Sequence, residues 1–138
     1  MLIEYSAAQM YALVEDVAAY PDFLPWCGGA EILNKEGNMT RAAITIDFRG
    51  IKQRFSTENR AEPPQSIEMK LIDGPFRKLD GSWRFKSLGD TASKVEFRLH
   101  YEFSSKLLAT VIGPVFHYIA STFVETFVKR AQQLHGKR

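Results

Sequence analysis

The chain has 138 residues, is 45% hydrophobic and 25% charged, and carries a formal net charge of +2. That composition is globular, too apolar for disorder, and long enough to bury a core as one domain, 1–138, without disulfides or metals. The lone Cys27 excludes an intramolecular disulfide, no Cys/His cluster marks a zinc site, and the start MLIEYS carries no secretion or import signal, so the cytoplasm is the expected compartment.

Charge is unevenly spread. Residues 1 to 36 hold six acids against one lysine, and residues 37 to 138 hold 17 bases against 10 acids, which points to a basic surface in the second part.

Met1 to Tyr5 reads as a short strand and Ser6 as an N-cap. Met10, Leu13, Val14 and Val17 then recur at helical spacing, so SAAQMYALVEDV is a first helix. Pro21 is expected to end it, with a second short helical turn over PDFLP. The stretch YPDFLPWCGG, residues 20 to 29, is unusual. Its prolines and glycines forbid an ordinary helix or inner strand, yet it carries Tyr20, Phe23, Leu24, Trp26 and Cys27. Cys27 reads as a small buried hydrophobe rather than a reactive thiol.

From Ala30 the period changes to two. Strands are expected before and after a turn at Glu36-Gly37-Asn38, with Ala42, Ile44, Ile46 and Phe48 on one face. Further strands carry Ile51, Phe55 and Thr57, then Ile67, Met69 and Leu71, then Leu79, Trp83 and Phe85, then Val95, Phe97, Leu99, Tyr101 and Phe103. Short connections between successive strands imply an antiparallel meander with one wet face.

The last third is helical, with apolar pairs from Leu107-Leu108 to Phe127-Val128. A step of four overshoots a 3.6-residue turn by about 40°, so the stripe winds around a straight helix. Gly113-Pro114 offers a break, predicting a short helix, a bend, and a long helix from about 115 to 135 whose whole stripe faces the sheet. The segment LLATVIGPVFHYIASTFVETFV is not read as a membrane span, because it holds His117, Glu125 and several hydroxyls; interfacial contact stays open. The pattern as a whole predicts an α+β helix-grip fold, a curved antiparallel sheet around one long C-terminal helix with two short helices after the first strand. The greasy loop is then expected to be a lid over a cavity mouth, with Trp26 on its half-wet rim.

The segments YSAAQMYALVEDVAAYPDFLPWC, GPFRKLDGSWRF and VEFRLHYEFSSKLL closely resemble the bacterial ribosome-association toxin (RatA) and coenzyme-Q-binding protein family, within the START-like, polyketide-cyclase-like helix-grip superfamily. The resemblance covers nearly the whole chain. It implies a lipid-transfer-type fold, a longer first strand than MLIEYS supplies, and no catalytic constellation. It also implies two functions to weigh.

The first is non-enzymatic binding of a hydrophobic small molecule in a cavity between sheet and helix, supporting respiration. No cofactor is required, and the ligand the resemblance implies is ubiquinone or another isoprenoid lipid. Candidate wall residues are Phe23, Leu24 and Trp26 from the loop and Phe48, Phe55, Met69, Leu71, Phe76, Trp83, Phe97 and Tyr101 from the sheet. The helix adds Phe116, Ile119, Phe123 and Phe127. Gln53, Thr57 and Asn59 share the inward parity and suit a quinone carbonyl. The alternative for all of these is ordinary core packing. Asp73 and Arg77 flank the GPF turn, where they either hold a polar head group or pair locally.

The second function is a toxin that binds the large ribosomal subunit and blocks translation initiation through a basic outer sheet face. That face carries Arg41, Arg49, Lys52, Arg54, Arg60, Lys70, Lys78, Arg84, Lys86, Lys94 and Arg98 against six acids. The plain alternative is a solvated face with cross-strand ion pairs. Transient membrane contact, peripheral to the inner membrane, fits the first function, and no DNA partner is expected. His100, His117 and His135 are scattered without a nucleophile–base pair, so no enzyme is expected; an aromatase or cyclase ranks third.

Overall fold

The computed structural model describes residues 1–136. Chain order is β1 (Leu2–Ile3), α1 (Ala7–Glu15), a 3-10 helix (Val17–Asp22), β2 (Cys27–Glu36), β3 (Met39–Phe48), β4 (Ile51–Glu62), β5 (Ser66–Asp73), β6 (Phe76–Ser87), β7 (Ser93–Phe103) and α2 (Lys106–His135). The strands form one antiparallel sheet in the order β1-β7-β6-β5-β4-β3-β2, curved around α2 in the helix-grip arrangement. The first strand is only two residues long, pairing Leu2 with Lys94 and Ile3 with Ser93.

Ser6 caps α1 as its position suggested. Its Oγ accepts from the Gln9 N–H at 3.1 Å and its own N–H donates to Gln9 Oε1 at 2.9 Å, a full capping box. The helix stops earlier than Pro21, at Glu15. The following helical turn begins at Val17, not at Pro21, and Pro21 lies inside it. The Tyr20 hydroxyl donates back to the Val14 carbonyl at 2.5 Å, which ties the two helical pieces together.

Four of the five hairpin turns carry a glycine with positive φ, at Gly37, Gly50, Gly74 and Gly89, and the β4–β5 turn uses Pro63-Pro64 instead. Between β3 and β4 a two-residue turn, Arg49-Gly50, has φ of 51° and 81°. Arg49 is the non-glycine residue in that strained region. Its guanidinium lies 4.9 Å from the Phe48 ring centroid and 5.4 Å from that of Tyr118, a cation–π contact that offsets part of the cost.

The long helix corrects the expectation of a break. α2 runs unbroken from Lys106 to His135 with Pro114 inside it. The winding stripe is accommodated by changing which member of each apolar pair faces the sheet. Ile112 is the inner member early, Val115 and Phe116 share the contact, and Ile119 and Phe127 lead later, with Ala131 completing the seam. Leu107 and Val111, the outer members of the first pairs, are therefore exposed at 72% and 49%. The whole stripe does not face the sheet. By length and mean hydropathy α2 would qualify as a membrane span, but here it is the helix on which the sheet closes.

Candidate functional site

Between the sheet and α2 lies an apolar cavity of about 60 Å³. Its wall takes Trp26 from the loop, Phe55, Met69 and Phe97 from the sheet, and Phe116, Ile119 and Phe123 from α2, all expected from sequence. Sequence reasoning missed Val17, Tyr20, Leu79, Leu99 and Ala120 as wall residues. Ile44 and Ile46 also line it; their parity was legible, their role as wall was not. Val17 was legible as part of the first helix and Tyr20 as part of the apolar loop, but the 3-10 helix begins earlier than the turn expected over PDFLP, and that shift brings both to the cavity.

The other proposed wall residues lie outside the cavity. Leu24, Trp83 and Phe127 are 1%, 1% and 0% exposed and are consumed by core packing. Phe76 and Tyr101 close an aromatic cluster on Phe116, with ring centroids 4.9 and 4.6 Å from it. Phe23 sits edge-on to Phe127 at 5.2 Å, under the Arg130 guanidinium. Phe48 stacks on Tyr118 at 5.6 Å, and Leu71 lies beyond the last β5–β6 pair, Lys70 with Asp80.

Trp26 is only 3% exposed, so it is a buried piece of wall and not a half-wet rim, while Pro21, Asp22, Pro25 and Gly28 of the same stretch are exposed. The indole meets Phe123 at 6.0 Å between centroids. Cys27 is buried beside it, and burial pushes its thiol pKa up, as befits an inert packing residue. Trp83 Nε1 is a buried donor without a hydrogen-bond partner among the described residues, a cost of roughly 1–3 kcal/mol.

Polar groups reach the cavity at one place. Thr57 and Asn59, on the inward parity of β4, line it, and the Thr57 hydroxyl donates to Asn59 Oδ1 at 2.9 Å. Gln53 does not join them. Asp73 and Arg77 do not pair with each other: Asp73 accepts from the Ser56 hydroxyl at 2.9 Å, and Arg77 pairs with Glu102 at 2.6 Å.

On the outer sheet face, bases and acids alternate across strands. Arg41, Glu58, Lys70 and Asp80 stand opposite one another on β3, β4, β5 and β6. Arg41 and Arg60 both reach Glu58, Arg54 reaches Glu31, Arg84 reaches Glu68 and Lys94 reaches Glu96, all within 2.9–3.4 Å. Lys52, Lys70, Lys78, Lys86 and Arg98 are exposed and make no ion pair among the described residues. The face is a mosaic with five uncommitted cations, less uniformly basic than composition suggested.

The family model described as "Polyketide cyclase / dehydrase and lipid transport" matches residues 3–128. The chain belongs to this family. Within it, the chain is 43% identical over 137 residues to a ribosome association toxin, RatA, of Escherichia coli K12, covering 99% of this chain and 87% of that protein. It is 28% identical over 142 residues to a mitochondrial coenzyme Q-binding protein, COQ10 homolog B, of Xenopus laevis, covering 99% of this chain and 58% of that one. A START superfamily protein from Mycobacterium smegmatis superposes with a TM-score of 0.81 at 20% identity, covering 97% of this chain and 94% of the other, which shows the shared fold. Membership in the RatA/coenzyme-Q-binding branch follows from these relatives.

Proposed function

We propose that the protein associates with the ribosome, binding the large subunit and interfering with subunit joining and so with initiation. The observation that carries this is the 43% identity sustained over 99% of the chain with a ribosome association toxin. Cavity size supports it over a lipid-carrier role. Small-molecule sites usually enclose roughly 300–1,000 Å³, and the space here is about 60 Å³. The contact runs through the uncommitted cations of the outer sheet face, Lys52, Lys70, Lys78, Lys86 and Arg98, which attract RNA phosphates. The protein works as one domain in the cytoplasm. Co-sedimentation with purified large subunits tests the proposal.

A second reading keeps a hydrophobic ligand, and the apolar cavity with Thr57 and Asn59 at one side favours it. A quinone-type ligand is consistent with the coenzyme Q-binding relative, and would require the cavity to widen. Mass spectrometry of organic extracts of the purified protein tests it.

A further inference from the structure

The sheet ends at β2 on one side and at β7, partly covered by β1, on the other. β2 is blunted as an edge. A bulge interrupts it between Ile32 and Asn34, and Glu31, Lys35 and Glu36 stand along it, devices that discourage pairing with another chain. β7 has no such device. Its one register shift against β6 inserts Arg77 on the β6 side, so β7 itself runs regularly from Ser93 to Phe103. β1 covers it only at Ser93 and Lys94, with Met1 adding a contact on Val95.

That contact fixes which backbone groups are open. The Val95 N–H donates to the Met1 carbonyl, and the Val95 carbonyl accepts from the Met1 amino group, both at 2.9 Å. Backbone groups alternate in direction along an antiparallel ladder, so those of Phe97, Leu99, Tyr101 and Phe103 face the same way as those of Val95. On that side no strand pairs with them among the described residues. Their side chains are half-buried, while Arg98, His100 and Glu102 between them are exposed on the outer face. A row of unpaired N–H and carbonyl groups beside half-covered apolar side chains is a template for one more strand.

We infer that the protein forms a two-fold symmetric dimer in which β7 pairs antiparallel with β7 of a second copy. The axis passes through His100. In that register Phe97 pairs with Phe103 of the second copy and Leu99 with its Tyr101, so every open N–H and carbonyl of the four residues is used. The same register sets Arg98 against Glu102 on the outer face, and symmetry makes the contact twice. Arg98 makes no ion pair among the described residues of its own chain, and a carboxylate that already accepts from Arg77 still has lone pairs for it. Sliding the pair by one step either way loses the match. In one direction Glu96 meets Glu102 and the Phe103 groups stay open; in the other Arg98 meets Ser104. Because β7 ends at Phe103, the second copy's strand stops opposite Phe97, clear of Met1 on Val95. The inference goes beyond ribosome association and does not depend on it.

The test is analytical ultracentrifugation of the full chain over a concentration series, at mildly alkaline pH where imidazoles are neutral. Amide hydrogen exchange is measured at both ends of the series. Expected is a reversible monomer–dimer equilibrium, with protection of the Phe97, Leu99, Tyr101 and Phe103 amides rising with the dimer. Arg98→Glu and Glu102→Arg should each weaken association about tenfold. The two together should restore it, because the swap returns opposite charges to both contacts. Leu99→Pro, which removes an N–H on the open side and leaves the β6 ladder intact, should be monomeric. A monomer at every concentration would overturn the inference. So would a dimer whose protection falls on β2, or a double swap that associates no more tightly than the single reversals.

Discussion

Arg41 and Glu58 stand directly opposite each other on β3 and β4, and the guanidinium reaches the carboxylate at 3.3 Å on the outer face of the sheet. Glu58 is also shared with Arg60 at 3.4 Å. The contact divides the bases of this face into two kinds, those neutralised by a cross-strand partner and those left to attract something else. Reversing uncommitted cations, as in Lys86→Glu with Arg98→Glu, should weaken large-subunit binding more than reversing the paired Arg41 and Arg84. Filter binding or sedimentation of both double variants measures the difference. Arg41→Ala should change stability by no more than about 1 kcal/mol, as expected for an exposed pair.

Trp26 as buried wall makes a different prediction from Trp26 as lid. Trp26→Ala should cost roughly 3–5 kcal/mol in urea unfolding. In a Trp83→Phe background, where Trp26 is the sole indole, emission should be blue-shifted and poorly quenched by iodide. A red-shifted, readily quenched Trp26 would return the loop to the surface.

Trp83→Phe itself should be mild. It keeps a ring among Phe85, Phe97, Phe123 and Phe127 while removing the orphaned N–H, so the stability loss should fall well short of the roughly 3–5 kcal/mol for emptying an aromatic site. Chemical denaturation of the purified variant checks this.

Gly74 has φ of 146°, and a Cβ there would come 2.6 Å from Phe55 Cβ, on the cavity wall. Gly74→Ala should therefore destabilise by about 1–3 kcal/mol and shift the NMR signals of Phe55. An unperturbed Phe55 would mean the turn is freer than its geometry indicates.

The hydrogen bond from Arg77 holds the Glu102 carboxyl below its usual pKa, with the Arg77 charge adding to it. A depressed folded value stabilises the protein above the unfolded carboxylate pKa, and that contribution is lost as pH falls through the folded value. Carbonyl ¹³C titration should place Glu102 below an ordinary glutamate, and Arg77→Ala should bring it back up. Because Glu102 and Arg77 are both exposed, the acid-unfolding midpoint should barely move with Arg77→Ala.

The strands and their parity were legible because one face of the sheet is wet, so period-two alternation survives in β3, β6 and β7. Ser6 and its partner Gln9 marked the first helix through chemistry confined to a few residues. What was not legible depended on distant packing. Pro114 looks like a break in isolation, yet the seam Ile112–Phe116–Ile119–Phe127–Ala131 carries the helix through it. Inward parity named the wall residues but not the cavity's size, since neither the closeness of Trp83 and Phe127 nor the fit of Phe76 on Phe116 is written in spacing. The pairing of outer-face bases likewise depends on register, which sets Arg41 against Glu58 but leaves Arg98 opposite Ser82.

The central claim is ribosome association, and the most direct measurement is co-sedimentation of the untagged protein with purified large subunits over a salt series. The account predicts saturable binding at low salt that falls steeply as salt rises, as phosphate contacts require, and that is reduced in the Lys86→Glu, Arg98→Glu protein. No co-sedimentation at low salt, by tagged and untagged protein alike, would contradict it.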